Sequence, residues 1–411
     1  MKSAGLVPFL LISAMAAGPL SVGTVPKGKP EDAGMSSERL RRIHEAIQRH
    51  IDAGEISGAV TLVARRGRVV HFEAHGLMDI ENQRPMQTDA IFRLASMTKP
   101  ITGTAVMMML EEGKLRLNDP VSKYLPEFKN PKVAVAHGNP GDFYVMPADR
   151  ELTIRDLLTH TNGLMTGGIG SKSGPPRPVE GDTLATYVPK LGAVPLDFQP
   201  GTQWAYSGLA GPDTLSRIVE IVSDQPYDQF LRTRLFEPLG MRDTFFYPPD
   251  DRRPRLTTLY SKSPNGLVKA PNQNGFSMQS YFSGGGGLMS TAEDYLQFAQ
   301  MLLNGGEMNG KRFLSPRTVD LMASNHVGDM FNGKLGRPAH GMGYGLLVGI
   351  VEDDVAAGLR VSNGSFGWDG AYGTQTWIDP KEKMVTIVMI QTQVVSVQRD
   401  FENAVMQAIV E

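Results

Sequence analysis

The sequence predicts an α+β protein: an antiparallel sheet flanked by helices, assembled from both ends of the chain and holding an inserted, mainly helical lobe. Three observations carry this prediction. A helical stripe followed at once by two strand-like runs opens the patterned part of the chain. Two more strand-like runs and a helix close it, and helical spacing dominates between them. At 411 residues the chain can bury a substantial core and divide into two lobes. One lobe is expected at residues 30–95 and 310–411 and the mainly helical one at 96–309, with the active site between them.

Residues 1–17 read as a weak signal peptide, with Lys2 as its charge, an apolar run Leu6 to Ala14 and a cleavage site near Ala14-Met-Ala16. Cleavage would send the protein to the periplasm or outside the cell; otherwise it is expected in the cytoplasm. Residues 18–34, rich in Gly, Pro and Lys, form a linker. Ser36 or Ser37 then caps a helix with Leu40, Ile43, Ile47 and Ile51 on one face, ending near Gly54. Ala59–Arg65 and Arg68–His75 flank Arg66-Gly67 and predict a β-hairpin. The stretch from about Phe128 to Arg150 reads as a long loop insertion, and Gly163 to Pro200 as further Gly- and Pro-rich loop. Between them, Thr153 and Asp156 form a capping box ahead of Leu157-Leu158. Helical spacing returns at Leu215, Ile218, Val219 and Val222, and again at Tyr227, Phe230 and Leu231. Gly284 to Gly287 is expected to be flexible, and Ser290-Thr-Ala-Glu293 to cap a helix through Tyr295, Phe298 and Leu302. Thr374–Ile378 and Met384–Gln391 flank Asp379-Pro380 as strands, and Val397, Phe401, Val405 and Ile409 mark a final helix.

The stretch from Arg93 to Leu110 organises the rest. Pro100 fits only a first helical turn, Val106-Met-Met-Met-Leu110 is apolar nearly all round, and Gly113 supplies a stop. Ser96 and Lys99 stand three residues apart at the mouth of this helix, so hydroxyl and amine share a face. So apolar a segment would desolvate the lysine and let it take the serine proton. Two further phrases complete the set: Pro200-Gly-Thr-Gln-Trp-Ala-Tyr-Ser207, with Tyr206 just before a helix, and Trp368-Asp-Gly-Ala-Tyr-Gly-Thr374 among the late strands.

With Ser96-Met-Thr-Lys99, with Leu157-Leu-Thr-His-Thr-Asn-Gly-Leu164 and with the glycine run before Leu288, the chain resembles the serine β-lactamase and penicillin-binding protein superfamily. Within it, the chain is most similar to the family VIII carboxylesterases, whose fold is close to that of class C β-lactamases. The resemblance implies Ser96 as acylated nucleophile, Lys99 as base and Tyr206 as proton relay; which of Lys99 and Tyr206 is the main base stays open. It also implies an oxyanion hole from the N–H groups of Ser96 and Ala371, with Gly370 allowing close backbone approach. Trp368 stands where many relatives carry a basic residue for a substrate carboxylate. Gly208 replaces the asparagine expected two residues after the tyrosine, and Asp369 replaces a glycine often seen after the tryptophan.

Other chemistries find little support. No G-x-S-x-G occurs, and Gly305-Gly-Glu-Met-Asn-Gly-Lys311 lacks the following Ser/Thr of a phosphate loop. With no cysteine there is no thiolate metal site, and the eight histidines show no ligand grouping, so neither metal nor cofactor is expected. His71 and His75 share a strand face as surface or packing residues. A net charge of -2 without basic blocks gives no sign of nucleic-acid binding, and no apolar run reaches the roughly 18 residues of a membrane span. The expected activity is hydrolysis of small carboxylic esters through an acyl-enzyme, in an unspecified oligomeric state. The alternatives are a β-lactamase or D-amino-acid peptidase, an acyltransferase to an alcohol other than water, and a non-catalytic ligand-binding homologue.

Overall fold

The computed structural model describes residues 23–271, 273 and 279–411. The signal peptide expected at residues 1–17 lies outside them. Helix α1 (Ser37–Asp52) starts where its cap dictates: Ser36 accepts the Arg39 N–H, and the buried face is Leu40, Ile43, Ala46 and Ile47. Strands β1 (Gly58–Arg65) and β2 (Arg68–Asp79) form the expected hairpin. Its turn places Arg66 and Gly67 both at positive φ, 51° and 73°, as a tight two-residue connection requires. A short β3 (Arg84–Pro85) extends the edge.

Helices α2 (Thr98–Glu111), α3 (Ile154–Thr159), α4 (Leu184–Leu191), α5 (Ala210–Ser223) and α6 (Ala292–Leu303) follow. The chain then returns to the sheet with β4 (Met342–Tyr344), β5 (Gly349–Val351), β6 (Phe366–Asp369), β7 (Gln375–Asp379) and β8 (Met384–Met389), and ends in α7 (Val395–Met406). The order across the sheet is β4-β5-β6-β7-β8-β1-β2-β3, every neighbouring pair antiparallel. First and last strands therefore meet at the centre, where Val60 pairs with Met389 and Leu62 with Ile387.

Strand β1 is buried at all eight positions because both of its faces are covered. Ala59 and Val63 join α1 and α7 in one apolar cluster. Val60, Leu62 and Ala64 point the other way, into the cluster that holds α2, α5 and α6. Helix α2 is buried over nearly its whole length, as its all-round apolar sequence predicts.

Four local expectations are corrected. Residues 128–150 are not simply loop: Lys132–Ala136 pairs with Phe143–Pro147 in a separate hairpin, disguised by Pro131, Pro140 and a strand without alternation. The Gly- and Pro-rich stretch contains α4, started by a capping box between Thr183 and Thr186 and tolerating Pro189 in its later turn. The cap of α6 is Thr291, whose hydroxyl accepts the Asp294 N–H, one residue later than expected; Ser290 is instead paired with Phe92. The four-glycine run is tightly packed. A Cβ on Gly284 would lie 1.9 Å from Ser216 Oγ, and one on Gly285 2.8 Å from the Leu209 backbone. None of the four has positive φ, so Gly284, Gly285 and Gly287 are glycine for closeness of approach and not for flexibility, whereas a Cβ on Gly286 would meet Ala95 at an ordinary 3.5 Å.

Candidate active site

The chain reaches Ser96 through an unusual backbone turn. Ala95 has φ of 46°, a left-handed conformation that costs a non-glycine residue roughly 1–2 kcal/mol, held because both flanks are pinned. Upstream, Leu94 N–H donates to Leu288 O, and Leu94 O accepts the Thr374 hydroxyl at 3.2 Å. Downstream, Ala95–Met97 form a single 3-10 turn leading into α2. Ser96 is thereby left partly exposed at the helix mouth while the following residues are buried.

Lys99 lies one turn on, fully shielded from solvent. Its Nζ donates to Ser96 Oγ at 3.1 Å and to the carbonyl of Gly285 at 2.6 Å. Among the described residues Lys99 Nζ has no carboxylate partner. Its second support comes from a glycine carbonyl that only the packed glycine run can bring so close.

Tyr206 arrives from the loop ahead of α5. Its hydroxyl donates to Ser96 Oγ at 2.8 Å, and its ring lies 4.8 Å beneath Lys99 Nζ. The loop is held from below by residues 160–164. Ala205 N–H donates to His160 O, Gly201 N–H to Thr161 O, and Ser207 Oγ bridges Leu164 O and Gly211 N–H. The His160 ring is completely buried, 4.7 Å from the Tyr206 ring, with both nitrogens unpartnered among the described residues. Burial, and then the nearby Lys99 charge, push its pKa well below the usual histidine value.

The third phrase closes the site as the C-terminal end of β6 and the turn after it. Gly370 admits no side chain: a Cβ there would sit 2.2 Å from Leu94 O, against the backbone that delivers Ser96. The Ala371 N–H has no acceptor among the described residues and lies on the exposed part of this turn. Trp368 is only 4% exposed; its ring packs against Tyr344 and Phe331 and its Nε1 makes a long 3.5 Å contact to the Tyr206 hydroxyl. Gly208 has open space, since a Cβ would meet only the Tyr206 ring edge at 3.6 Å. The sites singled out from sequence thus come together around one hydroxyl, Ser96 Oγ, with an amine and a phenol in hydrogen-bond range. Such a cluster can move a proton off a serine and return it to a leaving group.

Two participants carry no sequence signal. Asp213, on α5, is buried and accepts from Tyr281 OH at 2.9 Å, Ser283 Oγ at 2.7 Å and Gly285 N–H at 3.0 Å, fixing the glycine whose carbonyl holds Lys99. Burial pushes its carboxyl up, while these donors and Lys99 oppose that shift. Arg337 lies 5.1 Å over the Trp368 ring and pairs with Asp369 at 2.5 Å. A cation therefore does stand near the third phrase, but it is already neutralised. The expectation of no histidine ligand grouping is also corrected: His44, Glu73 and His75 bring three ligand atoms within 4.8 Å of one another on β2 and α1.

Comparison with known proteins agrees with this architecture. The Beta-lactamase family matches residues 43–410. Protein Rv1367c of Mycobacterium tuberculosis is 38% identical over 363 residues, covering 84% of this chain and 88% of that protein. Esterase EstB of Burkholderia gladioli is 30% identical over 388 residues, covering 88% of this chain and 92% of its own. Among solved structures, EstCE1, described as a hydrolase with promiscuous acyltransferase activity, superposes with a TM-score of 0.74 at 29% identity, over 90% of this chain and 99% of that one. The fold, the order of the three phrases and a match spanning nearly the whole described chain make this protein a member of the beta-lactamase family.

Proposed function

We propose that the protein is a serine esterase that cleaves small carboxylic esters through an acyl-enzyme on Ser96. The observation that carries this reading is the convergence of Lys99 Nζ and Tyr206 OH on Ser96 Oγ, at 3.1 and 2.8 Å. In acylation, the Lys99–Tyr206 pair takes the serine proton as Oγ attacks the ester carbonyl. The N–H groups of Ser96 and Ala371 stabilise the resulting oxyanion, and Tyr206 returns a proton to the departing alkoxide. Water repeats the sequence in reverse roles and frees the acid. An alcohol in place of that water gives acyl transfer, the side activity named for EstCE1.

Preference for esters over lactams follows from charge. The third phrase opens with buried Trp368, and the Arg337 guanidinium over it is held by Asp369. Among the described residues a lactam carboxylate finds no free cation there, and Gly208 offers no amide to its side chain. A hydrogen bond to a charged group is worth about 1.5–3 kcal/mol and a neutral one about 1. Together they amount to roughly two orders of magnitude or more in kcat/KM. The test compares p-nitrophenyl butyrate with nitrocefin on wild type and Ser96→Ala, and maps a fluorophosphonate adduct by mass spectrometry. Ester turnover lost in Ser96→Ala, with the adduct on the Ser96 peptide, is expected. Lactam efficiency equal to that for esters, or an adduct elsewhere, refutes the reading.

A further inference from the structure

A second cluster of reactive side chains lies four strands from β6, where α1 crosses β2. His71, Glu73 and His75 alternate along β2 and so share one face, the face on which α1 presents His44. His44 Nδ1 is 2.7 Å from Glu73 Oε1, and His75 Nδ1 is 3.9 Å from the same oxygen. The two imidazole rings stand 5.5 Å apart.

His75 is the decisive residue. Its side chain is fully shielded, yet Nδ1 has no hydrogen-bond partner among the described residues. Its other nitrogen, Nε2, is bonded to Thr61 Oγ1 at 2.9 Å, and that hydroxyl also meets His71 Nε2 at 2.8 Å. A buried ring is thus oriented through one nitrogen while the other points, unsatisfied, toward a carboxylate and a second imidazole. Metal-ligating histidines are held in this way, the far nitrogen fixed by an oxygen and the near one free to coordinate.

We propose that His44, Glu73 and His75 bind one divalent transition-metal ion of the zinc type, through His44 Nδ1, Glu73 Oε1 and His75 Nδ1, with water completing the shell. The donor set decides the class. Two imidazoles and one carboxylate suit zinc, cobalt or nickel, whereas magnesium and calcium require oxygen ligands. Bonds of about 2.0–2.2 Å in a tetrahedral shell place ligand atoms roughly 3.4 Å apart. The observed 2.7 and 3.9 Å bracket that spacing, and the set as a whole lies within 4.8 Å, so closing it around an ion needs shifts of about an ångström. His44 can supply them, because its side chain is half exposed at the edge of a surface cleft of about 490 Å³. Arg41 and Glu45 at this cleft offset each other in charge. The ion would clip the first helix to the sheet, and neither ligand element carries Ser96, Lys99 or Tyr206.

The test uses untagged, chelator-treated full-length protein titrated with ZnCl2 by calorimetry, with thermal unfolding in parallel. One zinc per chain is expected, with a concentration-dependent rise in Tm, and no comparable response to MgCl2 or CaCl2. His75→Ala removes a buried ring and can unfold the chain, so the deciding variants are His44→Ala and Glu73→Gln, both at partly exposed side chains. Each is expected to keep the wild-type circular dichroism spectrum and to weaken zinc binding at least tenfold. Absence of stoichiometric binding by wild type overturns the proposal. Unchanged affinity in both variants overturns it too, and points instead to the separate His50, Glu55 and Asp400 contact.

Discussion

Replacing Tyr206 with phenylalanine removes one oxygen and leaves the ring, which separates chemistry from packing. The ring keeps its contacts with His160 at 4.7 Å, Trp204 at 6.1 Å and Trp368 at 6.0 Å. The lost hydroxyl made one good hydrogen bond, to Ser96 Oγ at 2.8 Å, and one long contact to Trp368 Nε1 at 3.5 Å. Stability should therefore fall by only about 1 kcal/mol, the net worth of one neutral hydrogen bond. The activity loss distinguishes two roles. If Tyr206 merely orients Ser96, about 1 kcal/mol of transition-state stabilisation disappears and the rate drops roughly fivefold. If it carries a proton in both half-reactions, the loss is about 10²–10⁴-fold, or roughly 3–5 kcal/mol. Steady-state hydrolysis of p-nitrophenyl butyrate, with the rate of fluorophosphonate labelling of Ser96 as a second readout, measures it. We expect at least a hundredfold loss with Tm nearly unchanged. A loss below tenfold would refute the proton-relay argument and leave Lys99 as the sole base.

Three further outcomes follow from the same geometry. Lys99→Arg should reduce ester hydrolysis to background, because a guanidinium cannot give up its proton and Nζ sits in a fully shielded site against Gly285 O; measurable turnover would restrict Lys99 to electrostatic support. Asp213→Ala should destabilise the fold by about 3 kcal/mol in urea titration, since the buried Gly285 N–H cannot rotate to another acceptor while the Tyr281 and Ser283 hydroxyls can. His160 should contribute to acid lability. Its folded-state pKa is depressed, so its contribution is fully present above the unfolded value of about 6.5 and is lost as pH falls below it, by up to about 1.4 kcal/mol per pH unit. His160→Phe should lose less stability than wild type between pH 7 and pH 5, and equal losses would show that the ring does not stay neutral.

Much of the fold was legible because its signals are local. The Ser36 cap, the Arg66-Gly67 turn and the Thr153–Asp156 box each act within four residues, and each appears where the pattern predicts. Where local signals conflict, the reading failed. Pro189 and its neighbouring glycines concealed α4, although Thr183 caps it fully. Pro131 and a five-residue run without alternation concealed the hairpin at 132–147. In the glycine run, composition suggested freedom, but Gly284, Gly285 and Gly287 are packed against Ser216, Leu209 and Phe246.

By itself, the sequence determined which groups are available: a serine and a lysine one helical turn apart, a tyrosine ahead of a helix, and a glycine where β6 ends. Helical periodicity alone makes Ser96 and Lys99 neighbours, so that pair needed no tertiary information. Only the folded chain decided what meets them. Tyr206 is 110 residues from Ser96, and Gly285 is 186 from Lys99. Arg337 and Asp369, 32 residues apart, neutralise each other over Trp368, and His44 finds Glu73 across α1 and β2. Such contacts leave no periodic trace, because a side chain's partner across the fold is set by how helices and strands pack and not by spacing along the chain.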